Sequence, residues 1–424
     1  MLDIKFIREN PKIVKEGCQK KHVNVDIDRL LEVDKKRRET LGALEDMRAQ
    51  KNKASREISV AKDEKEKQKT ILKMQELDKG SDRLNKEMKE LDEEFEKLMR
   101  QIPNLPEADV PVGKDERANA VLREWGKKTE FKFKPKDYLE IAENLDIIDI
   151  KRAAKVSGSR FGYLKNEAVL LEFALVNLTF DVLTKKGFLP VVSPVLIKPE
   201  MMKAMGYVDT EADLKERYFL EKDGLFLVGT AEQSIGPMHQ DEIFQEREIP
   251  KRYVGFSTCF REEAGSYGKD TRGILRVHQF DKVEMFIFCK PEESLKEHRF
   301  LLGIEERLMQ LLKIPYRVVH LSTGDMARPS ASTFDIEAWL PGQNQYRETH
   351  SVSNCTDFQA RRLNIRYRSK DNKLDFVHTL NGTAFAIGRT IIAIIENYQQ
   401  KDGSVKIPRV LQKYIGGKKI IKRS

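Results

Sequence analysis

Apolar residues keep helical spacing through the first quarter of the chain, and beyond about residue 130 the pattern switches repeatedly between period two and helical spacing. Asn10 before Pro11 predicts an N-cap with proline at the first helical position, opening a helix to about Gln19. From about Asp28 to Arg100 there is no proline and almost no glycine, and charged residues dominate, as in a long solvated helix or coiled coil. Leu77, Leu84, Leu91 and Leu98 recur every seven residues, with Met74, Ser81, Met88 and Phe95 on the alternate seam position. The first half carries a weaker seam through Ile27, Leu30, Leu41, Leu44 and Ile58, and the intervening run KDEKEKQKT carries none. A break there predicts two helices folded into an antiparallel hairpin. A dimerisation coiled coil is the alternative, although a parallel zipper would keep its heptad through the break.

Pro103, Pro106 and Pro111 in QIPNLPEADVPVG end the helix, because proline lacks the amide donor and clashes with the preceding turn. This segment reads as a hinge between a helical arm over 1–102, its coiled coil at about 28–100, and a body over 103–424. In the body, alternation at Phe131 to Phe133, Tyr218 to Phe226 and Val283 to Phe288 predicts strands. Helical spacing marks Glu167 to Lys185 and Thr390 to Gln400. Irregular interspersion of the two predicts an α+β fold with a largely antiparallel sheet flanked by helices, rather than a barrel of βα units.

A formal charge of +9 invites a polyanionic partner, although 68 acids interleave with 77 basic residues. Cys18, Cys259, Cys289 and Cys355 stand far apart, which argues against a zinc knuckle or a disulfide framework. No zinc is expected. The first residues lack the apolar stretch of a secretory signal, and their acids argue against a transit peptide, so a cytoplasmic location is expected. The apolar stretch around Thr383 to Ile395 is broken by Arg389 and too short to span a bilayer, so no membrane role is expected.

The chain contains no GxxxxGK[ST], since GSYGKD lacks both its spacing and its hydroxyl, and no GxGxxG, HExxH or GxSxG. It does contain FREEAGSYGKDTRGILRVHQFDKVE, from Phe260 to Glu284, which reads as a strand, a polar loop and a returning strand. Arg261 and Arg276, placed at the two ends of the loop on paired strands, would bring two guanidinium forks together to grip phosphate oxygens. Phe280 falls on the same side of the strand as Arg276, where its ring could stack on a base. A surface hairpin laced by salt bridges is the plain alternative.

The full string resembles motif 2 of class II aminoacyl-tRNA synthetases in its seryl form. VVSPVLIK (Val191 to Lys198) resembles motif 1, with Pro194 at the dimer seam, and NGTAFAIGRTIIAIIENYQ (Asn381 to Gln399) resembles motif 3. With GTAEQ near Thr230, WLPGQNQYRE before Thr349 and the hairpin arm, similarity to bacterial-type seryl-tRNA synthetases spans nearly the whole chain. The resemblance implies a class II catalytic domain over 103–424 that activates L-serine with ATP and Mg2+ and transfers it to tRNA(Ser). It implies a homodimer whose arm grips the long variable arm of the tRNA, with Lys35, Lys36, Arg37, Arg38, Lys51 and Lys53 as phosphate contacts.

Carried over position by position, the resemblance makes Arg261 the bridge between the α-phosphate and the serine carboxylate. Glu263 would touch adenine, Phe280 would stack under it, Arg276 would hold the γ-phosphate, and Arg389 would lie on the far side of the nucleotide. Glu262, Val277, Thr349 and His350 complete the expected ATP site, and Glu348 and Ser351 would bind ATP and its magnesium. Thr230, Ala231, Glu232, Glu284, Asn381 and Thr383 would hold serine. Three departures stand out: Thr383, Ala384 and Phe385 in place of Ser, Gly and Leu; His350 beside Ser351; and Met201 to Phe219 in place of the usual serine-side loop. An inactive paralogue would be expected to lose an arginine or Glu348, a carrier-protein ligase would lack the arm, and a structural coiled coil leaves residues 260–284 unexplained.

Overall fold

The computed structural model describes residues 1–60, 63–264 and 272–423, with the side chain of Val60 left aside. The glycine-bearing loop at 265–271 and part of the expected arm break, 61–62, lie outside the described residues. The chain divides into two compact units, Leu2–Gln19 with Val23–Pro103, and Met1 with Lys20–His22 and Asn104–Ser424.

In the first unit two long helices, α1 (Ile27–Val60) and α2 (Glu64–Gln101), run antiparallel: Arg29 pairs with Glu94, Arg37 with Asp92 and Lys51 with Asp78. All eight heptad positions expected in α2 are at least partly buried, and most residues between them are exposed. The α1 seam keeps the expected Ile27, Leu30, Leu44 and Ile58 and departs from expectation at Leu41. It runs through Val33, Arg37, Thr40, Leu44, Met47, Lys51, Ala54 and Ile58, a steady four-three alternation, while Leu41 faces solvent at 47% exposure. Arg37 belongs to the seam because its guanidinium stacks 4.1 Å above the Phe95 ring while pairing with Asp92. The polar run before Thr70 is helical from Glu64 onward, opened by Asp63, whose carboxylate accepts from the Lys65 amide. The helix Pro11–Lys20 opens where expected, with the Asn10 carbonyl accepting from the Val14 amide at 3.2 Å. The Asn10 side-chain amide donates to the Phe6 carbonyl and closes a short preceding helix, Ile4–Glu9.

The described residues of the second unit build an eight-stranded sheet from β1 (Ala120–Trp125), β2 (Leu189–Val192), β3 (Lys251–Phe260), β4 (Gln279–Cys289), β5 (Tyr316–His320), β6 (Ser332–Leu340), β7 (Gln345–Asn354) and β8 (His378–Ala386). Their order is β1-β5-β6-β7-β8-β4-β3-β2. All pairings are antiparallel except β2 on β3. The sheet is the α+β scaffold the pattern implied. The alternation over Tyr218 to Phe226, however, is split by a turn into two short strands, Phe219–Leu220 and Leu225–Leu227, that pair with each other outside it. Phe131 and Phe133 form no strand, and their rings pack on each other at 4.9 Å.

Strand pleat sorts side chains between two environments. On β4, Val283, Met285 and Ile287 enter a core shared with three helices, α3 (Glu167–Thr184), α4 (Ser294–Leu312) and α5 (Ile387–Asn397). On its other face, Phe280, Lys282 and Glu284 line a cavity. The apolar stretch up to Ile395 is the end of β8 followed by α5, whose isoleucines 391, 392, 394 and 395 are wholly buried. Each such side chain contributes about 1.5–3 kcal/mol relative to exposure. Among the described residues no helix is long and apolar enough to cross a membrane.

Candidate active site

The cavity has a volume of about 700 Å³ and sits on the sheet face opposite the helical core. Its floor is made from neighbouring strands in register: Phe280 lies opposite Cys259, Glu284 opposite both Gly255 and Thr383, and Ser353 opposite Asn381. The ladder between β3 and β4 ends at Phe260 and Gln279, and one further bond, from the Arg261 amide to the His278 carbonyl at 2.9 Å, extends it. Arg261 and Arg276 therefore stand just beyond the strand ends rather than on paired strands, yet both line the cavity.

A bulge shapes the opposite wall. Between β6 and β7 the register slips so that Ile336 faces His350 while Glu337 faces Glu348. Thr349 is the extra residue, and its hydroxyl donates to the Ile336 carbonyl at 3.1 Å. The slip turns Glu348, Thr349 and Ser351 all toward the cavity, which an unbroken pleat would forbid for neighbours. His350 takes the other face, buried, with its ring 5.6 Å from that of Phe385 and its Nδ1 2.8 Å from the Thr349 hydroxyl. Burial pushes this imidazole down to about 3. The two odd residues of the sequence, His350 and Phe385, thus pack against each other.

All but three of the candidate residues line this one cavity. The exceptions are His350; Ala231, buried beneath Gly255; and Glu262, whose backbone amide bonds the Glu216 carbonyl at 3.2 Å. The three expected arginines reach in from separate segments. Arg261 lies 5.2 Å above the Phe280 ring and donates to the Gly229 carbonyl at 3.2 and 3.3 Å. Arg276 pairs with Glu263 at 2.6 Å, and among the described residues its buried Nε has no partner. Arg389 pairs with Glu348 at 3.0 Å and donates to its carbonyl at 3.1 Å. Enclosure by the cavity walls opposes ionisation of the half-exposed Glu348, but Arg389 and then Arg261 hold its carboxyl below the usual range.

At the other end lies a small acidic pocket. Glu232 accepts from the Tyr207 hydroxyl at 2.7 Å and from Asn381 at 3.2 Å, and Thr230 and Thr383 add hydroxyls to the same wall. Burial first, and Glu284 second, push its carboxyl up to about 7. Glu284, 1% exposed, is paired with Lys282. Lys282 and Tyr207 were not among the expected residues. Lys282 was within reach of the pattern, two positions from both Phe280 and Glu284 on one strand face, whereas Tyr207 arrives from a segment without regular period.

The hard-oxygen donors Glu348 and Ser351 are joined by Asp335, which accepts from the Ser351 hydroxyl and whose buried Oδ1 has no partner among the described residues. That donor chemistry fits magnesium. Among the described residues no three acidic, histidine or cysteine side chains gather as metal ligands, so such an ion would need oxygens from a nucleotide as well.

Comparison with known proteins places this geometry. The profile described as "Seryl-tRNA synthetase N-terminal domain" matches residues 1–106, and that of the "tRNA synthetase class II core domain (G, H, P, S and T)" matches residues 218–398. The serine--tRNA ligase of Dictyoglomus turgidum is 46% identical over 419 residues, covering 98% of each chain. That of Nitrosopumilus maritimus is 43% identical over 424 residues, covering 99% of this chain and 100% of its own. Among solved structures, seryl-tRNA synthetase from Pyrococcus horikoshii complexed with ATP superposes over the full length of both chains with a TM-score of 0.92 at 41% identity. The cytoplasmic serine-tRNA ligase of Naegleria fowleri in complex with AMP gives 0.87 at 34%, covering 100% of this chain and 99% of its own. The chain belongs to the seryl-tRNA synthetase family.

Proposed function

We propose that this chain is an ATP-dependent serine--tRNA ligase, with domains at 1–102 and 103–424, that forms seryl-adenylate in the cavity and then transfers serine to tRNA(Ser). The observation that carries this reading is the division of a single cavity into an arginine and aromatic end and an acidic, hydroxyl-lined end. Phe280 offers a shelf for adenine, and Arg261, Arg276 and Arg389 can neutralise a triphosphate. Glu263 and Glu348 hold two of those guanidiniums in place until it arrives. Glu232 and Glu284 suit an ammonium group, and Thr230, Asn381 and Thr383 suit a hydroxyl.

The serine carboxylate is an anion at neutral pH and attacks the α-phosphorus in line, with pyrophosphate leaving. No base is needed, and the protein's task is to orient two anions and stabilise the charge that grows between them. Magnesium held by Glu348 and Ser351 would add charge neutralisation on the phosphates. Alanine is rejected because it leaves buried polar groups unpaired, an effect worth up to about 10⁴-fold, whereas threonine must be rejected by fit.

The arm supplies the second partner. Lys35, Lys36, Arg38 and Lys53 are exposed on α1 and suit phosphate contacts along an RNA backbone. Arg37 and Lys51 are committed instead to the seam through Asp92 and Asp78. Val192, 81% exposed at the sheet edge, with Leu189 beside it and Leu170 and Phe173 on α3, gives the apolar surface a homodimer would cover. A translation enzyme of this kind would work in the cytoplasm. The test is pyrophosphate exchange into ATP with each amino acid in turn: exchange dependent on L-serine supports the reading, and exchange driven by another amino acid or by none removes it.

A further inference from the structure

The segment from Met201 to Phe219, which departs from the family pattern, is firmly seated. Asp209 forms a buried pair with Arg362 at 2.8 Å, and Thr210 and Asp213 cap the short helix Glu211–Lys215 reciprocally. What this anchoring delivers to the cavity is Arg217. Its Nη1 and the Cγ of Arg261 both come within 4 Å of one point, the place where a β-carbon on Gly229 would sit. Two guanidinium side chains thus converge over a glycine that leaves room for them.

Among the described residues neither arginine forms an ion pair, in contrast to Arg276 and Arg389. Arg217 donates to the Glu216 carbonyl at 3.4 Å, and its buried Nε has no partner. Burial, and then Arg261, lowers its affinity for its proton. Such a pair is held at an electrostatic cost that an anion with two oxygens would relieve. The neighbour identifies the anion. The Arg217 guanidinium lies 5.3 Å from the Tyr207 ring, and the hydroxyl of that ring bonds Glu232. An amino acid with its ammonium at Glu232 carries its carboxylate one carbon away, toward the arginines.

We propose that Arg217 is a second carboxylate-binding residue, gripping the α-carboxylate of serine opposite Arg261. This rests on the reading of the cavity as a serine-activating site. One carboxylate oxygen forms the new bond to the α-phosphorus while the bond to pyrophosphate breaks and its electron pair departs with pyrophosphate. The other oxygen, held by Arg217, becomes the carbonyl of the mixed anhydride.

The test compares binding of L-serine and L-serinamide, which lacks the anionic carboxylate, to the wild-type protein and to Arg217→Met, Arg217→Gln and Arg217→Lys by calorimetry. Loss of a charged hydrogen bond predicts about a ten- to hundredfold weaker grip on serine in the Met and Gln variants. Serinamide and ATP binding should be unchanged, and lysine should restore part of the loss. Serine affinity held within about twofold in both neutral variants, or equal losses for serine and serinamide, would overturn the proposal. A wild-type protein that binds no serine would instead overturn the reading on which it rests.

Discussion

Glu232 makes serine recognition a function of pH. Its carboxyl, buried beside Glu284, titrates near 7 rather than at its ordinary 4.5. An ammonium group needs the ionised form, so serine binding must strengthen as pH rises. With a midpoint at about 7, roughly a tenth of the protein is competent at pH 6 and nine tenths at pH 8, which predicts about tenfold tighter binding across that interval. The same shift acts on stability with the opposite sign. The folded state favours the neutral acid more than the unfolded chain does, so this contribution is whole below about 4.5 and lost as pH rises through 7. It amounts to about 3 kcal/mol by linkage. Glu232→Gln should therefore bind serine weakly at every pH, lose the slope, and melt higher than the wild type at pH 8 when empty. Serine titrations at fixed ATP between pH 6 and 8, with melting curves of both proteins, check this. A flat profile in the wild type, or an unchanged slope in the Gln variant, would refute the assignment.

Arg261→Ala should reduce serine-dependent pyrophosphate exchange about 100- to 1,000-fold, since it removes a donor aimed at developing charge; steady-state kcat/KM measures it. Glu348→Gln should raise the magnesium concentration giving half-maximal exchange by at least about tenfold, the loss that even outer partners of a metal ligand carry, while circular dichroism stays unchanged. Replacing residues 28–100 by a short linker should spare pyrophosphate exchange and abolish charging of tRNA. Efficient charging by the shortened protein would remove the arm from tRNA recognition.

How far these features could be read in the sequence depended on whether local pattern or tertiary context decides them. The α2 seam was legible because its heptad positions are apolar almost throughout. The α1 seam departs from the expected one at Leu41, since Arg37 and Lys51 take half-buried seam positions that their partners across the hairpin make tolerable. Phe280, Lys282 and Glu284 share one face of β4, a placement that a pleat settles locally. A pleat alone could not place Glu348 and Thr349 on one wall, because the bulge that does so is a property of two strands together. Phe131 and Phe133 show the converse, alternation without a partner strand. Arg217 and Tyr207 come from a segment with no period to read, and only the fold brings them to Gly229 and Glu232.

One cavity should hold both halves of seryl-adenylate. The direct measurement is a crystal structure of the protein with a non-hydrolysable seryl-adenylate analogue. Adenine is expected over Phe280, the phosphate mimic at Arg261, and the seryl ammonium between Glu232 and Glu284. An analogue bound elsewhere, or with its adenine in the acidic end, would contradict it.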